Sequence, residues 1–222
     1  MQYFTKEYID FFKDLSNNNN KEWFHDNKKR YENSVKKPFL NFVIALIEEV
    51  SKIDKEINLD AKKCISRINR DIRFAKDKTP YNLHLNAHIT KGDPKNNPYP
   101  IIAIRFGGFE TGIMSGHFMP SKERLLSIRN QIKANPKIFS KLYSDKRFVK
   151  SFGKIEGEAN KRIPIEFHEI FETEPLVANK QFYFMSEQKP DFITNSNLIS
   201  TIMEHWEAAK PLNEFITKEI KQ

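Results

Sequence analysis

An α+β fold, with helices at both ends and a largely antiparallel sheet between them, is what the hydrophobic pattern of this chain predicts. Apolar residues recur at helical spacing through the first fifty positions, alternate between about 64 and 119, and return to helical spacing after Pro120. Strands that cluster, rather than alternate with helices, form a sheet of sequence neighbours joined by turns. The length of 222 residues suits one domain over 1–222, helical over 1–58, strand-rich over 61–120, and helical with one late strand over 121–222. Nineteen phenylalanines supply a large core, since each ring buries about 150–250 Å².

Thr5 is a good N-cap for a first helix whose Tyr8, Phe11, Phe12 and Leu15 form one apolar stripe. Asn17 to Asn20 break it. A second helix starts near Lys21, with Trp23, Phe24, Asn27 and Tyr31 at helical spacing, which reads as core packing before it reads as a base-stacking platform. Pro38 suits the first turn of a third, whose Phe39, Phe42, Val43, Leu46, Ile47 and Val50 make a wide band. Cys64 to Phe74 then approximates a strand, with Ile68, Ile72 and Phe74 on one side and Arg67, Asn69, Asp71 and Arg73 on the other. Ala75 to Pro80 is a turn. Tyr81 to Thr90 alternates cleanly, 91–100 is a loop by its glycine, prolines and asparagines, and 101–106 and 112–119 are further strands. Gly107-Gly108 reads as a turn. Ser121 caps a helix carrying Leu125, Ile128 and Ile132, Asn135-Pro136 restarts another, and Asp145 caps one holding Phe148 and Phe152. Residues 181–185 form the late strand, and helices from about Ser196 close the chain, interrupted at Pro211.

Charge is distributed unevenly. The whole chain carries +8, yet residues 61–163 hold 22 basic and 8 acidic side chains, while 164–222 hold 5 and 10. Such a centre focuses potential on an anionic ligand, unless acidic carboxy-terminal helices fold back and neutralise it. The longest apolar run, 42–47, is far below the roughly 20 residues of a spanning helix, so no membrane partner is expected. With no signal-peptide pattern and one cysteine, Cys64, the expected compartment is the cytoplasm, and Cys64 reads as a small core residue.

The charge is densest in RINRDIRFAKDKTPY, residues 67–81. Arg73 beside Asp71 forms a pair that keeps the carboxylate ionised and the guanidinium oriented for a ligand. Arg70 falls in phase with Ile68 and Ile72, so either it meets an interior carboxylate or the strand bends there and opens a cleft. Asp77 suits an Asx turn, one of Lys76 and Lys78 faces the cleft, and Tyr81 belongs either to the rim or to the core.

This stretch resembles the signature of a mostly bacterial family catalogued as domain of unknown function 2461. The likeness extends through NNKEWFHDNKKRYE, GIMSGHFMPSKERLLSIRNQI, KRIP, KQFYF and AAKPLNEFI, and departs around 92–118, where the family is richer in glycine and aromatic residues. Membership implies a shared α+β fold and supplies no reaction.

Other chemistry finds little support. His84 and His88 have the i, i+4 spacing of a helical zinc pair, but on a strand they stand about 13 Å apart, so no metal and no cofactor is expected. No nucleophile elbow or phosphate-binding glycine loop occurs. The expected function is binding of a phosphate- or carboxylate-bearing small molecule by Arg67, Arg70, Asp71, Arg73, Lys78 and Tyr81. If that site is catalytic, the acid–base group is Asp77, His84 or His88, with His117 a further imidazole on a nearby strand. The alternatives are a nucleic-acid or protein interaction module using the basic centre, and a folding staple without a ligand.

Overall fold

In the computed structural model, which describes residues 1–91 and 100–218 (side chains of Pro100 and Ile101 excepted), the first third of the chain is helical. Helix α1 (Lys6–Asn17) starts at Thr5 by backbone geometry alone, without a side-chain cap, because burial of Tyr8, Phe11, Phe12 and Leu15 holds it in place. Asn20 caps α2 (Lys21–Asp26) by accepting from the Trp23 amide at 2.9 Å. Helix α3 (Lys28–Tyr31) passes through a π turn at Glu32–Lys36 into α4 (Lys37–Ile53). The wider turn lies just ahead of Pro38, where a continuing helix must accept a residue without an amide hydrogen. Trp23 and Phe24 pack against the core, Trp23 on Phe11 and Phe24 stacked on Tyr81 at 4.0 Å.

The central sheet has four antiparallel strands in chain order, β1 (His84–Thr90), β2 (Pro100–Gly107), β3 (Thr111–His117) and β4 (Phe182–Gln188). Pairs such as Leu85↔Phe106, Ile104↔Ile113 and Ser115↔Phe184 face the helices, while Asn86↔Arg105 and Met114↔Met185 face outward. Gly108 in the β2–β3 turn lets α1 approach closely, since a Cβ there would meet Phe12 and the Lys13 amide at 3.0 Å. The loop expected over 91–100 falls largely on residues 92–99, outside the described residues.

After β3 come α6 (Lys122–Ala134), capped by Ser121, then α7 (Pro136–Tyr143), α8 (Lys146–Phe152), capped by Asp145, and α9 (His168–Thr173). The chain then enters β4 and ends in α10 (Leu198–Thr217). Two apolar clusters result. One joins α1 and α4 to β1 and β2, and the other joins Phe182 and Phe184 to Ile128, Ile132, Phe139, Phe148 and Phe152. Helix α10 serves both, with Leu198, Ile202 and Trp206 in the first and Leu212, Phe215 and Ile216 in the second. That corrects the expected interruption at Pro211. The helix runs through the proline, because it lies on the exposed side and apolar contacts on both flanks outweigh one missing hydrogen bond. No described helix is long and apolar enough to cross a membrane.

The strand expected over Cys64–Phe74 also needs correcting. Asp60 caps a short helical turn, α5 (Ala61–Cys64), by accepting from the Lys62 amide at 3.0 Å. The chain then runs beside β1 through two isolated bridges, Ile65↔Ala87 and Asn69↔Tyr81, whose registers differ by two residues. Beyond Arg70 the ladder stops, and backbone and side chains hydrogen-bond locally instead.

Candidate functional site

Residues 70–80 form a loop closed by its own polar groups. Arg70 reaches Asp77 at 2.6 Å and also donates to the Thr79 carbonyl at 3.2 Å and to the Thr79 hydroxyl. Asp77 in turn accepts from the Thr79 amide at 2.9 Å, the Asx turn the sequence predicts. Lys78 Nζ donates to the Ile72 carbonyl at 2.9 Å, folding the lysine over its own loop. At the loop's base the Asn19 side chain brackets Tyr81, donating to its carbonyl and accepting from its amide, as a neighbouring strand would. The asparagine run thus pins the loop as well as breaking a helix.

Arg70 therefore finds its carboxylate neither in the interior nor across a bent strand, but seven residues on in the same loop. Asp71 and Arg73 pair through two hydrogen bonds of 2.9 and 2.6 Å, both residues exposed. Hydrogen bonds from the Arg73 side chain and amide keep Asp71 below the usual carboxylate range. The Thr79 amide, then Arg70, draw Asp77 down to about 2, so this group is an anchor and a poor proton acceptor near neutrality.

Alongside the segment lies an open groove in two parts. The larger, about 580 Å³, is lined by Lys62, Lys63, Ser66, Arg67, Asn69 and His88 among others, and the smaller, about 240 Å³, by Arg67, Asn69, Arg70, Asp71 and Arg73. Arg67 and Asn69 belong to both, so the two adjoin. The side chains of Lys62, Lys63 and Arg67 form no ion pair among the described residues, Arg67 acting on Asp71 only through space, and no described acid of 164–218 pairs with any base of the groove. Cys64 forms part of the wall. Burial, with Asp60 nearby, pushes its thiol up to about 11, which leaves it protonated and inert.

The remaining candidates divide. His88 lines the groove and is exposed. His84 stands two pleats away on the same outer face of β1, 3.7 Å from Glu110, which also holds Arg105 at 2.9 Å. Burial and then the Arg105 charge lower its pKa against the pull of Glu110. His117 does not join them, because it points to the opposite, helix-covered face of the sheet, across from Phe182. Tyr81 belongs to the core, 8% exposed and stacked on Phe24, and does not line the groove. No cluster of three or more His, Cys, Asp or Glu that could hold a metal occurs among the described residues.

Sequence reasoning missed Lys62, Lys63 and Phe74. The two lysines precede the signature, in the short helical turn α5 ahead of it. Phe74, in phase with Ile68 and Ile72, was expected on a buried face, yet it is 96% exposed because the strand ends before reaching it. The signal available for the lysines was the charge excess beginning at residue 61.

A family model described as "Conserved hypothetical protein (DUF2461)" matches residues 7–215. No curated protein matches the chain.

Proposed function

The chain belongs to the domain of unknown function 2461 family, as its motifs imply, and since that membership carries no chemistry we propose from the groove alone that the protein binds an anionic small molecule bearing phosphate or carboxylate. The observation that carries this reading is an imbalance of partners. Arg70 and Arg73 are matched by Asp77 and Asp71, whereas Lys62, Lys63 and Arg67 converge on the same groove with none. Cations left unmatched around a concave space raise its potential and attract an anion. Arg67, shared by both parts of the groove, is the central anion contact, and its planar fork suits a phosphate or carboxylate. The Asp71–Arg73 and Arg70–Asp77 pairs hold the groove wall in shape. If the bound molecule is also transformed, His88 is the group with access to it, since Asp77 is locked and His84 lies outside the groove lining.

Thermal unfolding of the full chain with inorganic phosphate, pyrophosphate and citrate tests the reading. A ligand at a hundred times its Kd adds about 2.7 kcal/mol to stability, a shift of several degrees. At least one of these anions should raise the melting temperature, and Arg67→Ala should abolish the rise while leaving the unliganded value unchanged. No shift with any of the three, or an undiminished shift in Arg67→Ala, overturns it. The interaction-module alternative predicts a different signature, affinity for single- or double-stranded DNA that falls steeply with salt.

A further inference from the structure

Phe74 is almost wholly in water although its loop is held by the Arg70–Asp77 and Asp71–Arg73 pairs, the Asp77–Thr79 turn and the Lys78–Ile72 hydrogen bond. A ring on a floppy loop could fold back onto the protein, whereas this one is presented. Its neighbourhood is specific. The Arg73 guanidinium lies 6.0 Å from the ring centroid, and Arg73 also lines the smaller part of the groove, which adjoins the larger at Arg67 and Asn69. Arg73 therefore stands between the groove that Lys62, Lys63 and Arg67 line and one exposed aromatic ring.

Resting on the anion-binding reading above, we propose that the ligand is a nucleotide, with its phosphates between Lys62, Lys63 and Arg67 and its base stacked on Phe74. A planar, polarisable ring next to a cation suits a nucleobase, which stacks on aromatic faces without regard to sequence. A sugar phosphate or dicarboxylate would satisfy the cations but leave the ring unused. A nucleic-acid strand needs successive rings along its path. Here the other exposed phenylalanines among the described residues lie elsewhere, Phe109 in the β2–β3 turn, Phe118 against Tyr183 and Phe171 on α9. One ring, beside the Arg73 that lines the groove, accommodates one base.

Calorimetric titration of the full chain with ADP, pyrophosphate and a dT8 oligonucleotide separates the possibilities, with Phe74→Ala and Phe74→Trp as variants. Because Phe74 contributes almost no buried surface, both variants should fold as the parent does. ADP should bind about 10- to 100-fold more tightly than pyrophosphate, the gain from stacking one base. Phe74→Ala should reduce ADP to the pyrophosphate level without changing pyrophosphate itself, and Phe74→Trp should retain ADP binding. Equal affinities for ADP and pyrophosphate, unaffected by Phe74→Ala, would overturn the nucleotide inference while leaving the anion reading standing. Binding of neither would overturn the nucleotide inference, and a failure of citrate and inorganic phosphate as well would overturn the anion reading with it. Salt-sensitive binding of dT8 without ADP binding would replace them with a nucleic-acid surface.

Discussion

Arg129 and Arg67 are the same residue type in opposite circumstances. Arg129, on α6 and 6% exposed, donates to the carbonyls of Val177, Ala178 and Asn179, and no carboxylate pairs with it among the described residues. Its Nε and one Nη serve the backbone, and burial lowers its pKa. Arg67 is exposed beside a groove, and its guanidinium makes no hydrogen bond or ion pair among the described residues, its charge reaching only as far as Asp71. The first arginine is consumed by the fold. The second has its whole hydrogen-bonding capacity left for something else. Between them stand Arg70 and Arg73, each engaged by a carboxylate of its own loop. The difference teaches that an arginine's role is read from where its donors go, not from the density of charge around it.

That contrast can be broken from the Arg129 side first, where the largest effect is expected. Arg129→Met keeps the packing volume but strands the buried carbonyls of Val177 and Asn179, while that of Ala178 keeps the Asn160 amide, and should lower unfolding free energy by about 3 kcal/mol in urea titrations. A near-neutral result would mean that water replaces the guanidinium there. Next in size is the buried imidazole of His117, which burial and then the Arg124 charge bring down to about 4. Its folded pKa lies below the unfolded value near 6.5, so the unfolded chain binds the proton first. Stability should be complete above about pH 6.5 and fall by roughly 3 kcal/mol as pH drops to about 4, levelling off below. In His117→Gln that decline should flatten, as urea midpoints at several pH values would reveal.

Smaller again is the loop. Arg70→Ala should leave the melting temperature close to the parent's while amide hydrogen exchange across 71–80 accelerates, because the ion pair constrains a surface segment. A large drop in melting temperature would instead make the cluster a folding staple. Acid should release the same loop, since Asp77 favours the folded loop above its unfolded pKa near 3.9 and loses that preference as pH falls through about 2. Smallest of all is Arg67→Ala in the absence of ligand, which should not move stability measurably, in contrast with its effect on anion binding.

Much of the architecture was legible because it follows from periodicity. The stripes of α1 and α4, the caps at Ser121 and Asp145, and the clean alternation after Tyr81 all reappear. The failure over Cys64–Phe74 came from the lack of a partner strand. From Cys64 to Phe74 the pattern alternates as a strand does, but alternation cannot tell whether a partner strand exists, and beside Arg70 the ladder to β1 has already ended. Pro211 failed for the converse reason, since local chemistry argued for a break that burial on both sides of α10 overrides. Of the candidate site, the Asp71–Arg73 pair and the Asp77 turn were readable because both are contacts between residues two apart. The removal of Tyr81 into the core was not, because it depends on Phe24 arriving from fifty-seven positions earlier.

By itself, then, the order of residues determined the α+β class, the helical stripes, the surplus of cations between 61 and 163, and the local pairing inside the charged loop. Each rests on period, composition or neighbours a few positions apart. Only the tertiary structure decided which cations keep their donors free, that Phe74 stands in water, and that His117 faces away from His84 and His88. These depend on which distant backbone groups and rings come to occupy the space beside them, and that is a property of packing.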